Sequence, residues 1–121
     1  MDQFKLAQIQ MIMLGVGSVD QSIQFYRDRL GLSVRNQIPG FAFLDGGGLT
    51  LVLSEGLGKA RENKAGAVEI VFSVSHVKTA YEALRQQGVA FLNEPRNVNG
   101  PFWAANFEDP DGHLLSIFGN E

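Results

Sequence analysis

Between Ile9 and Val16 both alternating sets of positions are apolar, with Ile12, Leu14 and Val16 on one side and Met11 and Met13 on the other. A strand of that kind is expected to be covered on both faces. Ser18-Val19-Asp20-Gln21 then reads as a capping box, in which the Gln21 amide donates to the Ser18 hydroxyl and the Gln21 side chain reaches back. The spacing predicts a helix from this point. Val19, Ile23, Tyr26 and Leu30 recur at steps of four, three and four, which stacks them on one face, and Gly31 supplies a left-handed stop. Three apolar runs follow, Leu32 to Ile38, Phe41 to Leu44 and Leu49 to Leu53, separated by Pro39-Gly40 and by Asp45-Gly46-Gly47-Gly48. Short apolar runs between turn residues predict three strands joined by tight turns.

From Ser54 to Gly66 the chain is polar and glycine-rich and its periodicity lapses, which predicts a linker. Beyond it the first pattern returns. Val68 to Val74 reads as a strand, and Val77, Tyr81 and Leu84 form a helical stripe ending at Gly88. Val16, Val19, Ile23 and Tyr26 correspond to Val74, Val77, Tyr81 and Leu84 at a constant offset of 58, an internal repeat. Val89 to Leu92, Phe102 to Phe107 and His113 to Phe118 predict three more strands. The last two are joined by Asp109-Pro110-Asp111-Gly112, which suits a type I turn. The reading is one α+β domain over residues 1–121, with module one at about 5–53, a linker at 54–66 and module two at about 67–119. Each module runs strand, helix, strand, strand, strand. One helix covers one face of a sheet, so the remaining faces must curl around something or pack on each other.

At 121 residues the chain suits one domain with a sizeable core, and 45% hydrophobic with 19% charged residues is an ordinary globular composition. No run approaches the ~20 apolar residues of a membrane span. Met1-Asp2-Gln3-Phe4-Lys5 lacks the basic cluster and apolar core of a secretion leader, so a cytoplasmic protein without membrane association is expected. A net charge of -3 without any cluster of Lys or Arg argues against nucleic acid as a partner. The chain has no cysteine, which excludes disulfides and thiolate metal sites.

Two stretches now carry more than structure. Ser22-Ile23-Gln24-Phe25-Tyr26-Arg27-Asp28-Arg29-Leu30-Gly31-Leu32 resembles the first helix and its end in the vicinal-oxygen-chelate superfamily, and Phe107-Glu108-Asp109-Pro110-Asp111-Gly112-His113 resembles that superfamily's last hairpin. The superfamily includes glyoxalase I, extradiol dioxygenases and the fosfomycin- and bleomycin-resistance proteins. The resemblance spans nearly the whole chain and implies two βαβββ modules forming an eight-stranded open barrel around a ligand cavity. It also implies a homodimer, because members commonly pair modules across subunits. Metal-dependent members draw His, Gln or Glu ligands from four positions on the first, fourth, fifth and eighth strands, which correspond here to Met11, Thr50, Glu69 and Ser116. A thioether suits soft ions and neutral hydroxyls bind divalent ions poorly, so only Glu69 is a plausible ligand for a hard metal. No metal and no cofactor are therefore expected.

Each candidate has a bland reading beside the functional one. Glu69 lies opposite Ile70 and Phe72 in the alternation, which turns it toward the cavity. It is there a contact for a cationic or hydroxyl-bearing ligand, or a general base if desolvated; otherwise it is a carboxylate at a wet barrel mouth. Met11, Met13, Trp103 and Phe118 can line an adaptable apolar pocket or can simply be core. Thr50 and Ser116 can each offer a hydroxyl to a ligand or bond locally. His76, at the start of the second helix, and His113, after a turn, are read as surface residues, and Gly46-Gly47-Gly48 as a hairpin turn because no helix follows to hold a phosphate. The expected function is metal-free binding of an amphipathic or aromatic small molecule. The alternative is an enzyme of the superfamily, a lyase, isomerase or dioxygenase, using a metal or Glu69 as base.

Overall fold

Two four-stranded mixed sheets, each crossed by a helix, make up the computed structural model, which describes residues 5, 8–62, 64–66 and 68–121. The reading of Met1 to Phe4 as something other than a leader, and the expected first residue of module two, Ala67, lie outside the described residues. In module one, β1 (Met11–Gly15) runs parallel to β4 (Thr50–Ser54), and β3 (Phe41–Asp45) and β2 (Val34–Ile38) complete the order β1-β4-β3-β2. In module two, β5 (Glu69–His76), β8 (Leu114–Asn120), β7 (Phe102–Glu108) and β6 (Arg96–Asn99) repeat that order, with β5 parallel to β8. This is the expected α+β fold of two βαβββ modules. Within one chain the sheets are not closed into a barrel.

The helices form for the reasons the spacing gives. The Ser18 side chain accepts from the Gln21 amide at 3.2 Å and opens α1 (Val19–Ile23). The helix then widens into a π-helical turn over Gln24–Arg29, closed by the Leu30 amide donating to the Phe25 carbonyl at 3.1 Å. An extra residue in the turn lets the adjacent Phe25 and Tyr26 both point inward, and both are buried. α3 (Val77–Gln86) buries Val77 and rests Ala80, Tyr81 and Leu84 on the core. No described helix is long and apolar enough to cross a membrane.

The core lies where the helices meet the sheets and is shared. Leu14, Leu51 and Leu53 of one sheet join Leu115, Ile117 and Phe107 of the other, around Val19, Ile23 and Tyr26, in a single buried cluster. Each such side chain contributes about 1.5–3 kcal/mol by leaving water. A polar clasp ties the modules beside this cluster. The Tyr26 hydroxyl donates to Asp109 Oδ2 at 2.7 Å, with both residues buried, and the amides of Asp111 and His113 donate to the other Asp109 oxygen. Burial and the neighbouring Asp109 carboxylate push the Tyr26 hydroxyl's pKa far above its usual value. His113 was expected to be a plain surface residue; it is instead half-buried, and its Nε2 donates to the Gly15 carbonyl at 2.7 Å.

Three sequence expectations change. The segment expected as linker contains α2 (Glu55–Ala60), capped by the Ser54 hydroxyl, and its Glu55 accepts from the Val19 amide at 2.8 Å. Val89 to Leu92 is not a ladder strand. It packs as a connection, with Val89 buried and Phe91 bridged to Phe107, and the edge strand is the polar Arg96–Asn99. β1 is not covered on both faces within one chain: Met11 and Met13 are 38% and 42% exposed.

Candidate functional site

The strand registers fix which side chains share each outer, concave face. In module one Met11 pairs with Thr50 and Met13 with Val52, and β3 adds Phe43 and Asp45 beside them. Met11, Met13 and Thr50 thus stand together, Met11 and Met13 as the alternation implied and Thr50 as the resemblance did. In module two Glu69 pairs with Leu114, Val71 with Ser116 and Ser73 with Phe118, and β7 adds Asn106 opposite Ser116 and Ala104 opposite Phe118. Glu69, Ser116 and Phe118 therefore share the second face. The two groups lie on separate sheets.

Trp103 does not join them. It pairs with Asn97 and Gly119, which puts it on the inner face, where the Lys78 ammonium of α3 sits 4.6 Å from its ring centroid. Lys78 also pairs with Glu121. Trp103 therefore braces the end of α3. The two adjacent aromatics Phe102 and Trp103 made either phase of β7 acceptable in the sequence, and the buried Phe107 decides it.

At the centre of the second face is a polar cluster that sequence reasoning missed. Asn106, only 8% exposed, donates from Nδ2 to Glu69 Oε2 at 2.9 Å. Its Oδ1 accepts from Asn93 Nδ2 at 3.1 Å and from the Arg96 guanidinium at 3.2 Å, and its backbone amide donates to Asn93 Oδ1 at 3.1 Å. One amide is held at both ends, with a carboxylate on one side and a guanidinium on the other. The Asn106–Glu69 bridge spans β8 at Ser116, which is 2% exposed. Phe102 and Phe118 stack on the same face, with centroids 5.2 Å apart, beside a depression of about 420 Å³ that they line with Ser73.

This donor set does not suit a divalent metal. Glu69 is the sole ionisable group among the four expected ligand positions, and the thioether of Met11 and the neutral hydroxyls of Thr50 and Ser116 are poor partners for a hard dication. Among the described residues no three His, Cys, Asp or Glu side chains converge. A larger cleft of about 730 Å³ lies between β1, α2 and the segment before β5, lined by Met13, Arg61, Lys64, Val68 and His113 among others. Of the expected site residues it includes Met13 alone, so the concave face of module two remains the better-equipped site.

Comparison with known proteins agrees with this architecture. The model of the Glyoxalase/Bleomycin resistance protein/Dioxygenase superfamily matches residues 8–117. The chain is 28% identical over 130 residues to YraH of Bacillus subtilis strain 168, covering 94% of this chain and 97% of that protein. It is 29% identical over 121 residues to a probable lactoylglutathione lyase of Vibrio cholerae, covering 90% of this chain and 88% of that protein. A glyoxalase/bleomycin resistance protein/dioxygenase from Nocardioides superposes with a TM-score of 0.81 at 24% identity, over 98% of this chain and 86% of that one. A glyoxalase-related enzyme from Fulvimarina pelagi gives 0.80 at 23% identity, over 95% and 89%.

Proposed function

Because the chain belongs to the glyoxalase/bleomycin resistance protein/dioxygenase superfamily, and the resemblance of its motifs assigns Met11, Thr50 and Ser116 to three of the four metal-ligand positions, we propose that it binds a small amphipathic or aromatic molecule without a metal. The observation that carries this reading is the state of Glu69. As the one hard donor of the set, it is tied to Asn106 beside the Arg96 guanidinium, an arrangement suited to an organic ligand with polar groups and poor for a dication. The stacked Phe102 and Phe118 supply an apolar wall on the same face.

The exposed Met11, Met13, Val71, Phe102 and Phe118 on the two concave faces support a homodimer in which a second copy covers them and closes the cavity. Light scattering at micromolar concentration is expected to give twice the mass of one chain; the mass of a single chain contradicts the dimer.

The rival reading, an enzyme, draws on the identity to the Vibrio protein named a probable lactoylglutathione lyase. It requires either a metal at this donor set or Glu69 as a base, and Glu69 is exposed in the single chain rather than desolvated. A thermal-shift screen of small metabolites and antibiotics, run with and without chelator, separates the two. A ligand at a hundredfold its Kd stabilises by about 2.7 kcal/mol, and binding is expected to survive the chelator unchanged. Binding that the chelator abolishes refutes the metal-free reading.

A further inference from the structure

We propose that the concave face of module two reads a zwitterion: an α-amino acid or close analogue with an apolar or aromatic side group, its carboxylate on Arg96 and its ammonium on Glu69. This rests on the reading of that face as a ligand site. Arg96 and Glu69 carry opposite charges on one face, yet among the described residues neither forms an ion pair with the other or with any third group. What keeps them apart is the Asn106 amide, which takes the guanidinium at its oxygen and the carboxylate at its nitrogen. The spacer is fixed, because Asn93 binds both the side-chain oxygen and the backbone amide of Asn106.

Both charged groups have capacity left over. A guanidinium has five N–H donors in a fork that matches a carboxylate, and one of them is committed to Asn106. The Glu69 carboxylate has lone pairs beyond the one that takes Asn106 Nδ2, and an ammonium has three donors to meet them. Charges held one amide apart match a molecule whose own opposite charges sit on a single carbon. A lone anion leaves Glu69 unanswered, and a lone cation leaves Arg96 so.

The surroundings agree in sign and shape. Glu108 pairs with Leu114 from one side as Glu69 does from the other, so the end of the face meant for the ammonium holds two carboxylates. Ala104 is the register partner of both Arg96 and Phe118, and its small side chain leaves space between the guanidinium and the stacked rings of Phe102 and Phe118. The side group of the ligand lies over those rings.

Calorimetric titration of the native protein with four phenyl compounds tests the proposal: L-phenylalanine with both charges, 3-phenylpropionate with the anion, phenethylamine with the cation and 3-phenylpropanol with neither. L-phenylalanine is expected to bind tightest. Arg96→Gln is expected to weaken L-phenylalanine and 3-phenylpropionate about tenfold to hundredfold, the loss of a charge-assisted hydrogen bond, and to leave phenethylamine unchanged. Glu69→Gln is expected to do the converse. Both positions are exposed, so an unchanged melting temperature checks that each variant is folded. If 3-phenylpropanol binds as tightly as L-phenylalanine, or if neither substitution changes the affinity for L-phenylalanine, the charges do not read the ligand and the zwitterion proposal falls while the cavity reading stands. Failure of all four compounds to bind also overturns it. The failure extends to the cavity reading only if the wider thermal-shift screen is empty too.

Discussion

Module one and module two pack alike and present different chemistry. On the inner faces Leu14, Leu51 and Leu53 of the first do what Leu115, Ile117 and Phe107 of the second do, and all join one cluster with the helices between them. On the outer faces the equivalents part company. Met11 stands in β1 where Glu69 stands in β5, at the repeat's offset of 58. Around Met11 are Thr50, Val52 and Phe43; around Glu69 are Asn106, Arg96 and Ser116. The inner faces must fill a shared space at close-packed density, which holds both modules to one pattern of size and spacing. The outer faces share no such space, module one's fitting only the short α2 at Gly15, and are free to carry a site, so repetition of the fold says nothing about repetition of function.

If the inner faces are equivalent, truncating either should cost the same. Leu53→Ala and Leu115→Ala, both fully buried, are expected to lose about 2–5 kcal/mol each in urea denaturation, with a single transition in both cases. A loss under about 1 kcal/mol in one module, or two separate transitions, breaks the picture of a shared core. The clasp between the modules ranks next. Tyr26→Phe deletes the hydroxyl that Asp109 accepts and is expected to cost about 1.5–3 kcal/mol, the range for a hydrogen bond to a charged group. Tyr26 also sets a pH dependence. Its pKa is raised in the folded state, so an unfolded tyrosine gives up its proton from about pH 10 while the folded one keeps it. Stability is therefore present below that pH and falls as pH rises above it. The Phe variant is expected to lack this component, and parallel stability curves for the two proteins up to pH 11 contradict the buried donor.

The outer faces give smaller effects on folding. Met13→Asp, on the apolar face of module one, is expected to change stability by less than about 1 kcal/mol while shifting the light-scattering mass from two chains to one. An unchanged dimer places that face outside the contact. Glu69→Gln is expected to leave stability within about 0.5 kcal/mol, as for an exposed residue, even as it weakens a cationic ligand. A melting point many degrees lower with intact ligand affinity makes Glu69 a structural carboxylate instead.

What the sequence disclosed follows the same division. The helical stripes of Val19, Ile23 and Tyr26 and of Val77, Tyr81 and Leu84 were legible because burial imposes a period on them, and Glu69 was legible because its neighbours Ile70 and Phe72 are held to the core side. β6 was not: all four of its residues are exposed, so no alternation marks it, and the apolar Val89 to Leu92 nearby drew the assignment instead. α2 is six residues long, too short for a period to show. The Arg96–Asn106–Asn93 cluster was hidden for a related reason. An Arg and two Asn read as solvated surface, and they converge on Glu69 only through the long-range register of β6 on β7, β7 on β8 and β8 on β5.

If the concave face of module two serves an organic ligand and not a metal, protein purified without chelator is free of stoichiometric metal, and metal analysis decides between the two. Because Met11, Thr50 and Ser116 leave Glu69 without partner ligands, nickel, zinc, iron and manganese are each expected well below one equivalent per chain, in the native protein and in Glu69→Gln alike. One equivalent of any of them in the native protein, lost in Glu69→Gln, contradicts the account.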